Sequence, residues 1–180
     1  MPNVKAKNEF LRFIQDFTAI QAVGTSAVRG QPAGTLKTVQ EYCSGLHLDL
    51  LAEMDRDDYA QWLNTRTRIL RSRLPSRGKP WGIARKALNL FMRSCLYNAY
   101  LSREFHLTTI QRWMEIPLDG AVARGLRKHA GRGQLPRWPG LKRLGPEVGA
   151  QYQEHAERYA RELGLPARVF LDNYLWLKNR

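Results

Sequence analysis

The sequence has few of the features that mark disulfide-rich, metal-clustered or membrane proteins. Its two cysteines, Cys43 and Cys95, lie within apolar helical patterns, so we expect neither a disulfide framework nor a cysteine-based metal site. No apolar run approaches the length of a membrane span, and the N-terminal MPNVKAKNEF lacks the hydrophobic region of a signal peptide. We therefore expect a cytoplasmic protein with no membrane association.

The alternation of apolar and polar residues that is typical of strands is also missing. Apolar residues instead recur at helical spacing, and residues 83–101 are apolar on nearly every side, which predicts a central helix. The fold class expected is all-α: a compact, two-lobed helical domain that spans residues 1–180. Three other helices are predicted over 10–20, 55–74 and 106–117. Two more are predicted to begin at about residue 36 and at Asp119, and another is predicted to end at Leu163. A last helix is predicted to dock through Phe170, Leu171, Leu175 and Trp176.

Acidic residues are scarce in the middle of the chain, and this localises the excess of positive charge. The whole chain carries a formal charge of +13, but residues 65–145 hold eighteen Lys and Arg against three acids, so this segment carries +15 and the rest −2. Many charge runs only keep a surface solvated. A concentration of this size in one region favours a polyanionic partner, and nucleic acid above all.

The turn between two of the predicted helices combines cations with glycines. It reads PSRGKPWG over residues 75–82 and is followed by IARKA. Glycine lets a backbone approach a ligand closely, and the N-terminal end of a helix attracts phosphate. We therefore predict that this helical hairpin grips DNA through the residues Arg77, Gly78, Lys79, Gly82 and Arg85.

Two further residues indicate chemistry rather than binding alone. Lys86 is predicted in the first turn of a helix beside Arg85, where the positive helix end and neighbouring cations disfavour protonation of its amine. Asp119 precedes another helix and is predicted to cap it. A nucleophilic amine and a fixed carboxylate together can displace a base from a sugar. Taken singly, each residue has a structural explanation, as a solvated lysine and as a helix cap.

These segments resemble a known family. GIARKA, residues 82–87, is similar to the G-x-G-x-K-x-A hairpin of the helix–hairpin–helix DNA glycosylases, and IPLDGAVARGLR, residues 116–127, is similar to their Pro-x-Asp-x-x-Val-x-Arg segment. The resemblance implies that Lys86 is the Schiff-base nucleophile of bifunctional members and Asp119 the catalytic carboxylate, with the hairpin and catalytic core at about 55–130. Ala84 replaces the second glycine of the pattern.

The spacing of the two residues points to one branch of that family. The separation of 33 residues from Lys86 to Asp119 is similar to that of the archaeal 8-oxoguanine DNA glycosylases, and the cysteine cluster of endonuclease III relatives is missing. The resemblance implies a monomer that flips a modified base out of double-stranded DNA and excises it without a metal or cofactor. Further DNA contacts are predicted at Arg124, Arg127 and Lys128.

The pocket for an extruded base is predicted from aromatic and polar residues. Such a base is held by stacking and hydrogen bonds. Stacking candidates are Trp113, Trp138 and Trp176, although tryptophan in a helical domain is more often a core residue. Gln21 and Ser26 belong to a polar cluster in the Gly-rich segment after the first helix, which equally suits a solvated loop.

The sequence leaves the substrate and two other functions open. An oxidised purine would indicate repair, whereas a hypermodified base such as glucosylated hydroxymethylcytosine would indicate defence against phage. A noncatalytic helix–hairpin–helix module would explain the charge and the hairpin but not the pairing of Lys86 with Asp119. A helix–turn–helix regulator needs an exposed recognition helix, and the apolar 83–101 segment is suited to burial instead.

Overall fold

The chain folds into helices joined by short connections. The computed structural model describes residues 4–179 and contains no strand within them. The predicted all-α class is therefore confirmed for this part of the chain. The helices are α1 (Val4–Ala22), α2 (Thr35–Ser44), α3 (Arg56–Arg73), α4 (Trp81–Tyr97), α5 (Ala99–Glu104), α6 (Gly120–Ala130), α7 (Pro146–Glu162) and α8 (Leu171–Asn179). None of the described helices is long and apolar enough to cross a membrane.

Helix α4 is the central helix, as predicted, but it begins two residues earlier and ends four residues earlier than the predicted range 83–101. Twelve of its seventeen residues are buried, which accounts for its apolar sequence. It ends at Tyr97, since Asn98 adopts an extended conformation, and the side chain of Asn98 accepts hydrogen bonds from the backbone N–H groups of Tyr100 and Leu101. Because this side chain caps a new helix, the predicted helix 83–101 is divided into α4 and α5.

The predicted helix over 106–117 is wrong. The segment forms two short 3-10 turns, Leu107–Thr109 and Gln111–Trp113. His106 has a left-handed backbone with φ of +48°, and the hydroxyl of Thr109 donates to the carbonyl of His106 at 2.9 Å. A local side-chain bond of this kind competes with the regular helical ladder.

The buried side chains form two clusters. The larger one is built mainly from α1 to α5, and the smaller one from α6, α7, α8 and the segments before α6 and α7. Trp81, the first residue of α4, packs on the smaller cluster, whereas the body of α4 lies in the larger one. Helix α4 thus connects the two clusters, and Lys86 lies on it.

Not every apolar residue of the first and last helices is buried. Phe10, Phe13, Phe17 and Ile20 of α1 are all 46–64% exposed, so their helical spacing places them on the outer face. In α8, Leu171 and Leu175 are buried, and these two residues dock the helix as predicted. Trp176 is 42% exposed, so it is less buried than these two leucines.

Candidate active site

Lys86 and Asp119 lie together in the structure. The Lys86 Nζ atom is 3.4 Å from Asp119 Oδ2, and the two side chains are only 10% and 18% exposed. Because α4 begins at Trp81 rather than at residue 83, Lys86 lies in the second turn of the helix and not in the first, where it was predicted. The described fold therefore brings a shielded amine and a carboxylate into contact across 33 residues of sequence.

Asp119 is held in place by its own helix. As predicted, it is the N-cap of α6, and its Oδ1 atom accepts hydrogen bonds from Ala121 N at 2.9 Å and from Val122 N at 3.0 Å. The chain before it is clamped by Gln153, whose side-chain amide bonds to both the N–H and the carbonyl of Ile116. With Oδ1 fixed by the backbone, Oδ2 is left to face Lys86.

The pair faces a cavity of about 650 Å³. This cavity lies between the end of α1 with the turn that follows it, α4, α6 and α8. A volume of this size is in the ordinary range for a small-molecule or nucleobase pocket. Among its lining residues are Gln21, Ser26, Lys86, Asp119, Asp172 and Trp176.

A buried acid in this cavity was not predicted from the sequence. Asp172 on α8 is 4% exposed and forms an ion pair with Arg93, which also donates to Asn173 at 3.2 Å. Burial raises the pKa of Asp172 to about 6; Arg93 lowers it and the negative charge of Asp119 raises it further. The sequence feature that could have indicated this buried acid is its position within the otherwise largely apolar stretch VFLDNYLWL. The cavity thus holds two carboxylates, each beside a cation.

The base-pocket predictions divide into two groups. Gln21, Ser26 and Trp176 line the cavity with Lys86. Trp113 and Trp138 do not, and the structure corrects both predictions. Trp113 packs on the larger cluster, and Trp138 packs on the smaller one, where its ring meets Tyr152 edge-on at 5.4 Å. Both therefore follow the more common role of tryptophan as a packing residue.

The exposed part of the predicted hairpin is the turn between α3 and α4. Arg77, Gly78 and Lys79 are all exposed there. Lys79 has a φ of +39°, and its Nζ donates to the carbonyl of Ser72, while its own carbonyl accepts from Arg71 Nε at 2.5 Å. These bonds hold the turn, and a Cβ at Gly78 would meet no atom within 4 Å, so the space around this glycine is open.

Gly82 and Arg85 are buried, which contradicts their predicted contact with DNA. A Cβ at Gly82 would lie 2.5 Å from the Leu141 carbonyl oxygen, so the glycine is needed for close packing of α4 against the segment before α7. Arg85 is 7% exposed and donates to both oxygens of Glu115, at 2.8 and 2.7 Å. Its guanidinium also donates to Asn64 and Thr67 at 3.0 Å. Arg85 is therefore part of an internal ion pair.

The three cations predicted on α6 are exposed. Arg127 and Lys128 lie in its last turn. Arg124 lines the cavity and donates to the carbonyl of Asn179 at 3.1 Å through Nε and 2.5 Å through a terminal nitrogen. Arg124 therefore connects the surface of α6 with the mouth of the cavity.

A histidine pair joins α6 to α7. His129 Nδ1 is 3.1 Å from His155 Nε2, and His129 Nε2 is 3.0 Å from Glu162. Burial lowers the pKa of His155, and the charge of Arg158 lowers it further. The Arg158 guanidinium lies 3.3 Å from His155 Nδ1, and because arginine can only donate, this nitrogen is the acceptor.

Comparison of the chain with protein-family models, with curated proteins and with solved structures found no match in any of the three. What this site does must therefore follow from its own residues.

Proposed function

We propose that this protein is a DNA glycosylase that excises a modified base. The observation that carries the proposal is the shielded contact between Lys86 Nζ and Asp119 Oδ2 in a cavity large enough for a base. A charged amine and a carboxylate that are largely removed from water cost stability, so such a pair in the wall of a cavity indicates a functional role. The resemblance of residues 82–87 and 116–127 to the helix–hairpin–helix glycosylases assigns the same two residues.

Base excision by Lys86 and Asp119 would proceed through an exchange of protons between the two side chains and the base. Lys86 transfers a proton to Asp119 and becomes a neutral amine. Its nitrogen then attacks C1′ of the deoxyribose, the bond from C1′ to the base breaks, and the base leaves with the electron pair and takes up the proton held by Asp119. Asp119, again a carboxylate, stabilises the positive charge that develops on the sugar. A proton then passes from the Lys86 nitrogen to O4′ as the bond from C1′ to O4′ breaks, which opens the sugar ring and leaves a protonated imine between Lys86 and C1′.

The exposed cations provide a surface for duplex DNA. Arg77 and Lys79 in the turn before α4, together with Arg127 and Lys128 on α6, are positioned to contact phosphates, and such binding weakens as salt rises. The helices α3 and α4 with this turn act as the helix–hairpin–helix element in the proposal. The protein works as a monomer in the cytoplasm.

The cavity receives the extruded base between the two lobes that the buried clusters define. Gln21 and Ser26 offer hydrogen-bonding groups from one side, and Trp176 offers an aromatic face from α8. The substrate is either an oxidised purine, which implies repair, or a hypermodified base such as glucosylated hydroxymethylcytosine, which implies phage defence. A panel of duplexes with one modified base each distinguishes the two.

Borohydride trapping on a duplex with one abasic site tests the nucleophile without knowledge of the base. The wild type is expected to form a covalent protein–DNA adduct that is lost in Lys86→Gln and reduced in Asp119→Asn. Lys37→Gln is the matched control, because Lys37 is an exposed lysine on α2 that pairs with Glu41 and does not line the cavity. It should trap as the wild type does.

Two outcomes would change the proposal. If no adduct forms although binding is tight and salt-sensitive, Lys86 is not a Schiff-base nucleophile, and excision of modified bases by an activated water becomes the next test. If a folded Lys86→Gln/Asp119→Asn variant performs every DNA-dependent function of the wild type, the protein is a noncatalytic binding module.

A further inference from the structure

Helices α4 and α8 place a group of three polar side chains in the wall of the large cavity. Arg93 on α4 and Asp172 and Asn173 on α8 all line this cavity, as Lys86 and Asp119 do. Arg93 donates through one terminal nitrogen, Nη1, to a side-chain oxygen of each of the two residues on α8. The chemistry proposed for Lys86 and Asp119 uses none of the three, so they are available for another role in the same cavity.

Two atoms of this group are free to bind a ligand. Asp172 is only 4% exposed, and its Oδ2 atom accepts from Arg93, whereas its Oδ1 atom has no hydrogen-bond partner among the described residues. Both bonds of Arg93 use Nη1, which leaves Nη2 free. The Nε atom of Arg93 is enclosed and out of reach, but Asp172 Oδ1 and Arg93 Nη2 are not enclosed. A ligand in the cavity therefore meets an acceptor and a donor side by side.

The charges of the pair favour a neutral ligand that carries hydroxyl groups. Asp172 neutralises Arg93, so the pair does not attract a phosphate as an unpaired arginine would. A hydroxyl both donates and accepts, and two neighbouring hydroxyls can use Asp172 Oδ1 and Arg93 Nη2 at once. Asn173 accepts from Arg93 at 3.2 Å through Oδ1, so its amide nitrogen adds a further donor. A sugar has this arrangement of neighbouring hydroxyls.

The cavity is also larger than a base alone requires. Water occupies about 30 Å³ per molecule, so a volume of about 650 Å³ corresponds to roughly twenty water molecules. A purine or pyrimidine has the bulk of about five water molecules. An oxidised purine differs from the normal base by little more than one oxygen atom and leaves most of this space unfilled. A sugar attached to the base occupies much more of it.

On the basis of the glycosylase function proposed above, we propose that Arg93, Asp172 and Asn173 form a subsite for a hydroxyl-rich substituent, such as a sugar, on the base that the protein excises. Asp172 lies near the proposed reaction centre: burial raises its pKa, Arg93 lowers it, and the charges of Asp119 and Lys86 act on it as well. A base without the substituent leaves the free donor and acceptor unpaired, so the subsite selects against an oxidised purine.

Single-turnover excision from matched duplexes tests the subsite. Each duplex carries one modified base, which is hydroxymethylcytosine, hydroxymethylcytosine with glucose on its hydroxyl, or 8-oxoguanine. The wild type is expected to excise the glucosylated base about 100-fold faster than either of the others, since two hydrogen bonds to charged groups contribute about tenfold each.

Variants of the subsite should change this preference and leave the nucleophile intact. Asp172→Asn should reduce the preference about tenfold and Asn173→Ala about threefold, whereas adduct formation at an abasic site, which carries no base, should persist in both. Asn173 is exposed, so its replacement should not disturb the fold. Asn8→Ala is the matched control, because Asn8 is exposed on α1 and does not line the cavity, and it should keep the full preference.

The preference among the bases separates a subsite from a structural role. If Asp172→Asn loses excision of every base and the abasic-site adduct to the same extent, and Asn173→Ala keeps the preference, the group is only structural. Excision of either other base as fast as the glucosylated one would overturn the subsite. So would excision of none of the three by a wild type that forms the adduct, and Lys86 would remain the nucleophile. Absence of both excision and adduct would refute the glycosylase function itself.

Discussion

Removal of the negative charge at Glu115 should destabilise the protein strongly. In Glu115→Gln the guanidinium of Arg85 loses its counter-ion while it remains 7% exposed, and one amide oxygen must replace two carboxylate oxygens that now lie 2.8 and 2.7 Å from Arg85. Asn89 also donates to Glu115, at 2.9 Å. Breaking a buried pair from one side costs about 3–5 kcal/mol. Because glutamine keeps the shape and one acceptor, we expect about 3 kcal/mol.

Thermal unfolding followed by circular dichroism measures this loss. For a chain of this size each kcal/mol corresponds to about 2–4 °C, so the midpoint should fall by about 6–12 °C. Glu41→Gln is the control, because the Lys37–Glu41 pair on α2 is 80% and 66% exposed. An exposed pair of this type contributes at most about 0.5 kcal/mol.

The pH dependence gives an independent check on the same pair. Burial raises the pKa of Glu115, but the charge and hydrogen bonds of Arg85 outweigh it, and the net direction is downward. A carboxyl with a lowered pKa contributes stability that is present above its unfolded pKa of about 4.3 and is lost as the pH falls through the folded value. The difference in the free energy of unfolding between the wild type and Glu115→Gln should therefore become smaller in acid. If the thermal unfolding midpoint of Glu115→Gln at neutral pH lies within about 2 °C of that of Glu41→Gln, the result would refute the buried ion pair.

Three further predictions concern packing and titration. Gly82→Ala should cost about 1–3 kcal/mol, because its Cβ would meet the Leu141 carbonyl at 2.5 Å, whereas Gly78→Ala, with no atom within 4 Å, should stay within about 0.5 kcal/mol in chemical denaturation. His155 has a lowered pKa in the folded state, so its contribution to stability is present above about pH 6.5 and is lost as the pH falls below it. The free energy of unfolding of His155→Gln should therefore fall less steeply from pH 7 to pH 5 than that of the wild type. An equal slope in the two proteins would contradict this. Isotope-edited infrared titration should find the carboxyl of Asp172 with a pKa of about 6, and a midpoint below pH 5 would contradict its burial beside Asp119.

Local patterns predicted the features that depend on neighbouring residues. The acids at 55, 57 and 58 indicated the start of α3, and Asp55 does cap that helix. Asp119 was predicted as the cap of α6 and is its cap. Capping depends on a side chain and the backbone two or three residues ahead, so the information lies within the same short stretch.

Predictions that depended on what surrounds a residue were less successful. The residues next to Arg85 in the sequence are those expected around an exposed DNA-binding arginine. Arg85 is nevertheless buried, because it forms an ion pair with Glu115, 30 residues further along the chain. Trp113, Trp138 and Trp176 could not be ranked from the sequence, since the difference among them is which cluster or cavity lies opposite. The helix 106–117 failed because His106 and Thr109 satisfy one another locally.

From the sequence alone we could predict the helical class, the concentration of positive charge in the middle segment, and Lys86 and Asp119 as a candidate pair. The packing of the helices fixed which cations remain exposed, and it added Asp172 to the candidate site, because the pairing of Arg93 with Asp172 joins side chains 79 residues apart. Charge and periodicity are properties of a segment and can be read along the chain. Burial and the partner of a charge are set only when distant helices pack, since packing determines which groups lose their contact with water.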